Sequence, residues 1–207
     1  MLLSASDWTN ENNFGIIHFL NSSPLLSIIV GILILDLVGA YLPHLVQHKV
    51  KLLWYIHIVH HTDQKVDTTT ANRHHPFESI IRFTFTLIGI FISGAPIGLV
   101  LMYQSLSVIL SQFNHANIQI SEKVDKALSY IIVSPNMHKV HHHFELPYTD
   151  SNYGNIFSLW DRLFGTYMEL SKNEIIYGID TDVDEIQNSK FISLIERPFK
   201  KWFNHFN

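Results

Sequence analysis

The chain of 207 residues contains no cysteine. This absence excludes a disulfide framework, a zinc ribbon and an iron–sulfur cluster held by the chain's own thiolates. Charged residues are also scarce: they make up 15% of the chain, whereas 47% of its residues are hydrophobic. This balance favours a membrane protein. No run of Lys or Arg interleaved with aromatic residues occurs, so we expect no nucleic-acid partner.

Basic residues are missing from the first part of the chain, where residues 1–22 are polar and mixed. A secretory signal peptide needs a basic segment at its start, so this stretch is expected to be a short exposed arm. All 14 Lys and Arg residues lie at or after Lys49. Residues 44–78 and 113–207 should share one face of the membrane, because the apolar hairpin described next returns the chain to the side it left, and the positive-inside rule predicts that this face is cytoplasmic.

Two long apolar stretches predict membrane-spanning helices. Residues 24–43 would form about 30 Å of helix, which matches the hydrocarbon thickness of a bilayer. Residues 79–112 are interrupted by SGAPIG and predict a tight hairpin of two short or tilted helices, with Gly94 and Pro96 at its tip. Asp36 is an acidic residue within the first span. It either faces the protein interior with a functional role or is hydrated near the interface.

Histidine is the abundant residue, and most of its 14 copies fall in tight clusters. His44 and His48 have i,i+4 spacing, so both rings project from one helical face. HIVHH at 57–61 and HKVHH at 138–142 repeat the spacing H-x-x-H-H. Imidazole is the commonest metal ligand. These eight histidines exceed what one tetrahedral ion accepts, so the pattern predicts two metals.

The same clusters disfavour two other kinds of metal enzyme. Ile58 stands where a zinc protease would carry its general-base glutamate, so a hydrolase lacks its base. The Glu-x-x-His motif of soluble carboxylate di-iron bundles does not occur either. A nitrogen-rich site suits iron, zinc, copper or nickel, so the residues alone do not select the metal.

The three histidine boxes, in this order, resemble those of the fatty acid hydroxylase and sterol desaturase superfamily. TTTANRHHPFE at 68–78 is similar to the superfamily's Arg-x-His-Pro-x-Glu segment, and FNHAN at 113–117 is similar to its His-Ala-Asn segment. NYGNIFSLWDRLFGTY at 152–167 is similar to its most recognisable signature outside the histidine boxes. The resemblance covers residues 36–167.

The resemblance implies an all-α, integral-membrane helical protein with a cytoplasmic helical cap that holds a histidine-rich di-metal site. It implies an O2-dependent di-iron hydroxylase or desaturase that oxidises a C–H bond of a sterol, fatty acyl or related membrane lipid. Two Fe ions are the expected cofactors, and O2 is the expected co-substrate. The expected electron donor is a separate b-type cytochrome or ferredoxin-like carrier with its reductase. The implied metal ligands are His44, His48, His57, His60, His61, His75, His115, His138, His141 and His142.

Some residues near the boxes have a second interpretation. His75 is either a ligand or a loop residue that is held by Pro76 and paired with Glu78. Asp161 and Arg162 either orient imidazoles or form a structural ion pair, and we favour the ion pair. Four histidines are not expected to bind metal: His18 and His205, which should be exposed, and His74 and His143, which adjoin better-placed ligands.

We expect three parts: an arm at 1–22, a membrane catalytic domain at 23–170 and a polar or amphipathic tail at 171–207. A membrane metal-binding protein is one alternative, but it would carry polar residues through its spans as an ion path, and residues 79–112 offer few. A catalytically inactive relative is another, but it would lack a box histidine. Small size and the absence of a retrieval tail favour a bacterial inner membrane over the endoplasmic reticulum.

Overall fold

The computed structural model describes residues 1–20 and 23–206, and this part of the chain is helical without a β-strand. Three of its helices are long and apolar enough to cross a membrane. The all-α membrane fold is therefore confirmed, whereas the cytoplasmic orientation of its histidine-rich part stays a prediction. The α-helices are, in chain order, α1 (Leu2–Glu11), α2 (Ile16–Leu20), α3 (Pro24–Asp36), α4 (Leu42–Lys49), α5 (Lys51–His61), α6 (Pro76–Ser93), α7 (Ile97–His115), α8 (Glu122–Leu128), α9 (Pro135–His141), α10 (Leu159–Leu163), α11 (Glu185–Ser189) and α12 (Phe191–Phe206).

The first membrane helix is continuous from Pro24 to Lys49 and joins α3 to α4 through a π-helical turn, Leu37–Tyr41. The turn ends at Tyr41, two residues before Pro43, which has no amide hydrogen to donate to the carbonyl four residues back. The Leu42 amide bonds five residues back, to Leu37. A π turn absorbs such an irregularity without ending the helix. The span therefore continues through the proline to the first histidine box.

Helices α6 and α7 are the two helices of the predicted hairpin, joined at the predicted turn, but they do not form a tight pair: each packs against α3. Gly94 ends α6 in the left-handed region, with φ of 72°, and Pro96 precedes the first residue of α7. The helices contain 18 and 19 residues, so each is about 27 to 29 Å long and reaches across most of a bilayer's hydrocarbon. Both ends of the hairpin return to the side where the histidines lie.

The N-terminal segment was expected to be an exposed arm, but it folds over the tip of the hairpin. The Ser6 hydroxyl donates to the Ala95 carbonyl at 2.8 Å, and the ring of His18 donates to the Gly94 carbonyl at 3.1 Å. The polar residues that suggested exposure thus satisfy backbone carbonyls of the turn, and His18 is not the free histidine we expected. The end of the predicted arm, residues 21–22, lies outside the described residues.

Asp36 faces the protein interior and is fully buried. Its carboxylate accepts hydrogen bonds from the amides of Ile156 at 3.3 Å and Phe157 at 3.1 Å, and from the indole of Trp160 at 2.9 Å. The interpretation of Asp36 as a hydrated interfacial residue is therefore wrong. The carboxylate joins the first membrane helix to the signature segment 152–167.

The C-terminal residues dock on helix α5 through α12. The Trp202 indole donates to the Leu52 carbonyl at 2.9 Å, and Arg197 pairs with Asp182 at 2.8 Å. Aromatic residues at both ends of α12 point outward; the first of them, Phe191, is 75% exposed. The tail is amphipathic, and its boundary at residue 171 stays a prediction.

Candidate metal centre

The first two histidine boxes lie on consecutive helices, α4 and α5. Val50 separates them with an extended backbone, at φ −98° and ψ 106°. This break redirects the chain, so the ring of His48 lies 4.9 Å from the rings of both His57 and His61. A single continuous helix could not have brought residues nine and thirteen positions apart into such contact, because they would be separated by about 13 to 20 Å along its axis.

The third box begins on the short helix α9 and ends at His142, the residue directly after it; the start of α9 is fixed by buried hydrogen bonds. The carboxylate of Asp125, on α8, accepts from the Ser134 hydroxyl at 2.8 Å and from the Asn136 amide at 3.1 Å. Pro135 occupies the first turn of α9, a position that needs no amide donor. These contacts set the direction in which His138 and its neighbours project.

Nine imidazoles converge in two groups, and within each group one ligating nitrogen per side chain lies within 4.8 Å of the others. The first histidine group is His44, His48, His57, His61 and His141, and the second is His60, His115, His138 and His142. Every predicted ligand except His75 is therefore in one of the groups. The second group is buried throughout, and the first is buried or half-buried.

Adjacent histidines in the H-x-x-H-H boxes belong to different groups. His60 and His61 have rings at 89° to each other, and so do His141 and His142. Neighbouring residues of a helix project about 100° apart, so each doublet can serve two sites at once. In each H-x-x-H-H box, the first and fifth histidines enter one group and the fourth enters the other. His141 thus joins the group that contains His57 and His61, and His60 joins the group that contains His138 and His142. This division between two sites explains why both boxes have the same spacing.

In the first histidine group, three of the five rings donate a hydrogen bond from Nδ1 to a residue outside the group. His44 Nδ1 donates to the Tyr153 carbonyl at 2.8 Å, and His141 Nδ1 donates to the Ser151 carbonyl at 2.6 Å. His57 Nδ1 donates to the Glu78 carboxylate at 3.0 Å in the same way. Each of these bonds fixes the tautomer and leaves Nε2 as an unprotonated acceptor. The Nε2 atoms of all five side chains are buried without a hydrogen-bond partner in the described part of the chain.

The second histidine group has its Nε2 atoms in close mutual contact. Those of His60, His138 and His142 lie 3.2, 3.0 and 3.2 Å from Nε2 of His115. His115 Nδ1 donates to the Ser111 carbonyl at 2.7 Å, so its Nε2 has one lone pair, which three rings cannot all share. Nitrogens bound about 2.1 Å from one cation would be separated by about 3.0 to 3.4 Å. The arrangement fits a metal ion.

Burial keeps these imidazoles neutral, which is the protonation state that binds a metal. Removal from water lowers the pKa of His141 to about 3. It lowers the pKa values of His60, His61, His138 and His142 well below the ordinary histidine value, and neighbouring histidines lower them further. The site is therefore a cluster of neutral nitrogen donors rather than a cationic patch.

A comparison of the sequence with protein-family models identifies a family that has this histidine pattern. The model of the family described as fatty acid hydroxylase matches residues 28–166, which include all three boxes and the signature segment up to its last residue but one. The chain belongs to the fatty acid hydroxylase family. The resemblance inferred from the boxes is thus confirmed.

Several curated relatives match the same part of this family member. Ornithine lipid hydroxylase OlsE of Rhizobium tropici is 25% identical over 140 residues, which are 68% of this chain and 41% of that protein. Alkylglycerol monooxygenase of Danio rerio is 30% identical over 145 residues, 68% of this chain and 30% of that protein. The human alkylglycerol monooxygenase is 24% identical over 168 residues, 81% of this chain and 34% of that protein. This chain thus covers less than half of each relative. No solved structure matches it.

Of the two ligands predicted from neighbouring segments, the structure brings only His115 to the groups. His75 caps the start of α6, where its Nδ1 accepts from the Phe77 amide at 3.2 Å. Its other nitrogen donates to the Ile195 carbonyl, also at 3.2 Å. In the structure His75 thus lies outside both groups, and its side chain does not pair with Glu78.

The histidines assigned no metal lie outside both groups. His143 is buried, and its Nδ1 accepts from the Ile176 amide at 3.1 Å. His74 is closer: its ring stacks on that of His60 at 4.6 Å, and its Nε2 lies 3.3 Å from Glu78. His74 thus packs against the second group without joining it.

The sequence did not single out Glu78 as a partner of the first group. Its carboxylate is 1% exposed and lies between His57 and His74. The sequence places Glu78 in the HPFE segment and suggests His75 as its partner, whereas in the structure the carboxylate contacts His57 and His74. The i,i+4 spacing of residues 74 and 78 was the signal for one of the two contacts.

The signature segment 152–167 supports the first histidine group through hydrogen bonds. Asp161 accepts a hydrogen bond from the Tyr153 amide at 2.7 Å, and the Tyr153 carbonyl holds His44. Burial raises the pKa of Asp161 to about 6. Arg162 points away and lies over the ring of Tyr167 at 3.8 Å. The expected ion pair between residues 161 and 162 is absent from the described part of the chain. Asp161 instead holds the amide of Tyr153, the residue whose carbonyl accepts from His44, and so supports an imidazole through the backbone.

Proposed function

We propose that this chain is an O2-dependent, two-iron lipid hydroxylase. The observation that supports the proposal is the convergence of nine histidines into two groups at the end of a membrane hairpin, in a member of the fatty acid hydroxylase family. Each group supplies four or five neutral nitrogens, which suits one transition-metal ion per group.

The proposed ligands are the nine grouped histidines, without His75. The groups contain no carboxylate, and the base position of a zinc protease is occupied by Ile58. A hydrolytic zinc site is therefore a poor fit. Iron is our choice among the metals that nitrogen sites accept, because the family resemblance implies it.

When bound, the two irons would supply the reduction of O2 and the oxidation of a C–H bond. The chain's own residues orient the imidazoles and exclude water from the centre. The carbonyls of Ser151 and Tyr153, together with Glu78, hold the Nδ1 protons of their histidines away from the ligating side. Rigid, buried imidazoles keep water from the centre, which protects an oxidising site from side reactions.

We propose that the substrate is a membrane lipid and that the site faces the cytoplasm. All Lys and Arg residues lie at or after Lys49, and the hairpin returns the histidine-bearing segments to one side of the membrane. Electrons would come from a separate b-type cytochrome or ferredoxin-like carrier. The names of the relatives, a lipid hydroxylase and a lipid monooxygenase, favour hydroxylation over desaturation.

An isotope experiment tests this function. The detergent-purified chain, loaded with Fe(II), is mixed with a membrane lipid extract, a reductant and an electron carrier under 18O2. Lipids that gain one 18O atom should appear with the wild type and be missing with His141→Ala. The control His205→Ala changes an exposed histidine outside both groups and should behave as the wild type. Equal labelling by wild type and His141→Ala would contradict the proposal.

A further inference from the structure

A polar groove lies between the two helices of the membrane hairpin. It has a volume of about 310 Å³, and polar side chains of α6 and α7 line it: Arg82, Thr86, Gln104, Ser107, Ser111 and Gln112. The rest of this hairpin is mostly apolar. Polar groups inside a membrane segment are costly and by default serve a function. A groove for a purely hydrocarbon chain would not need them.

The groove adjoins the metal centre. A smaller cavity of about 30 Å³ is lined by members of both histidine groups and by Glu78. Three residues line both spaces: His74, Arg82 and Ser111. The backbone carbonyl of Ser111 holds His115 of the second histidine group. A molecule in the groove would therefore reach toward the metals past Arg82.

Arg82 has the features of a binding residue. It is the only Lys or Arg between Pro76 and His115, and 38% of its side chain is exposed. The acidic group nearest to it, Glu78, is 3.9 Å away and already contacts His57 and His74. The guanidinium thus keeps donors available for another acceptor, and its planar fork matches a phosphate or a carboxylate.

We propose that the groove binds a lipid by its polar end and that Arg82 holds an anionic phosphate or carboxylate group there. The inference rests on the proposed lipid-oxidising function and specifies its substrate class. Arg82 lies about one helical turn from Glu78, which touches the first histidine group. The carbon presented to the metals would therefore lie in or next to the headgroup, rather than far along an acyl tail or in a sterol ring.

Native mass spectrometry of the full-length protein in detergent tests this binding without turnover. Wild type, Arg82→Gln and Arg82→Lys each receive an equimolar mixture of phosphatidylglycerol, an N-acyl amino acid and diacylglycerol. The first two probes distinguish a phosphate from a carboxylate as the bound group, and the third has neither. Lys123→Gln removes the same charge from an exposed position of α8 and is the matched control.

We expect the wild type and Lys123→Gln to retain one anionic lipid about tenfold over diacylglycerol, because the Arg82 guanidinium forms charge-assisted hydrogen bonds with the anionic group. Arg82→Gln loses these hydrogen bonds and should abolish the preference, whereas Arg82→Lys keeps the charge and should keep part of it. Gln104→Glu, which places a carboxylate in the groove away from Glu78, should also abolish it and decides the question if Arg82→Gln fails to fold. A preference that survives both substitutions, or a wild type without one, overturns the inference.

The outcomes separate this inference from the proposed function. Retention of an anionic lipid through Arg82, without 18O incorporation into any lipid, would support the binding site and count against the hydroxylase. Labelling of lipids by a protein whose lipid preference ignores Arg82 would do the reverse.

Discussion

Removal of the Glu78 carboxylate should weaken metal binding although it deletes no ligand. This side chain is 1% exposed, and it accepts from His57 Nδ1 at 3.0 Å. The bond keeps the His57 proton on Nδ1 and so keeps Nε2 free for a metal. Glu78→Ala leaves that N–H buried without an acceptor, whereas Glu78→Gln keeps an acceptor oxygen but loses the charge.

The expected loss follows from these contacts. A buried donor without a partner costs about 1 to 3 kcal/mol, and removal of a group that orients a ligating histidine lowers metal affinity about 10- to 100-fold. That range corresponds to roughly 1.4 to 2.7 kcal/mol. Glu78→Ala should approach the upper value and Glu78→Gln the lower one.

The assay is an anaerobic titration of the metal-stripped protein with Fe(II), followed by elemental analysis of the protein fraction. Glu122→Gln, at an exposed position of α8, removes the same kind of charge away from the site and should bind iron as the wild type does. Wild-type affinity for both irons in Glu78→Ala would refute the role assigned to this carboxylate.

Three more predictions concern the ligands, the scaffold and pH. His60→Ala and His61→Ala should weaken different metals, because the two rings belong to different groups; if X-ray absorption spectra show the same remaining site in both variants, the division is wrong. Asp36→Asn should lower Tm by roughly 5 to 10 °C, because an amide cannot accept hydrogen bonds from all three donors that contact the carboxylate. Asp7→Asn, at an exposed position, should leave Tm unchanged. An equal Tm for the two variants would contradict this prediction. Burial lowers the pKa of His141 to about 3 and that of His138 well below the ordinary value. Both groups are therefore neutral in the folded and the unfolded protein above pH 6.5, whereas at lower pH only the unfolded protein takes up their protons. The metal-free protein should thus lose stability as the pH falls from 6.5 toward 3, at about 1.4 kcal/mol per proton per pH unit. Melts of the metal-free protein should thus give a lower Tm at pH 5.5 than at pH 7.5, and an equal Tm would argue against buried neutral imidazoles.

Features that depend on local spacing could be predicted from the sequence. The hairpin follows from two apolar runs separated by SGAPIG, and the i,i+4 pairs at 44–48 and 57–61 follow from helical geometry. The histidine boxes together indicated two metals, because their number exceeds one coordination sphere.

Features that depend on contacts between distant segments could not be predicted. The division of each histidine doublet between two groups depends on how α5 and α9 face each other, which no local pattern encodes. Asp36 binds donors about 120 residues away. His75 matched a family segment, but its backbone position as a helix cap directs it elsewhere.

The polar composition of residues 1–20 was also misleading. It suggested exposure because composition counts polar groups without their partners. In the folded chain these groups meet the unpaired carbonyls at the hairpin tip, which burial would otherwise make costly.

The most direct test of the two-metal centre is the iron content of the freshly purified wild type, measured by elemental analysis beside His141→Ala and His205→Ala. The structure predicts close to two irons per chain in the wild type and in His205→Ala, and clearly fewer in His141→Ala. Little metal of any kind in the wild type, or the same content in all three proteins, would contradict the assignment of the nine histidines as ligands.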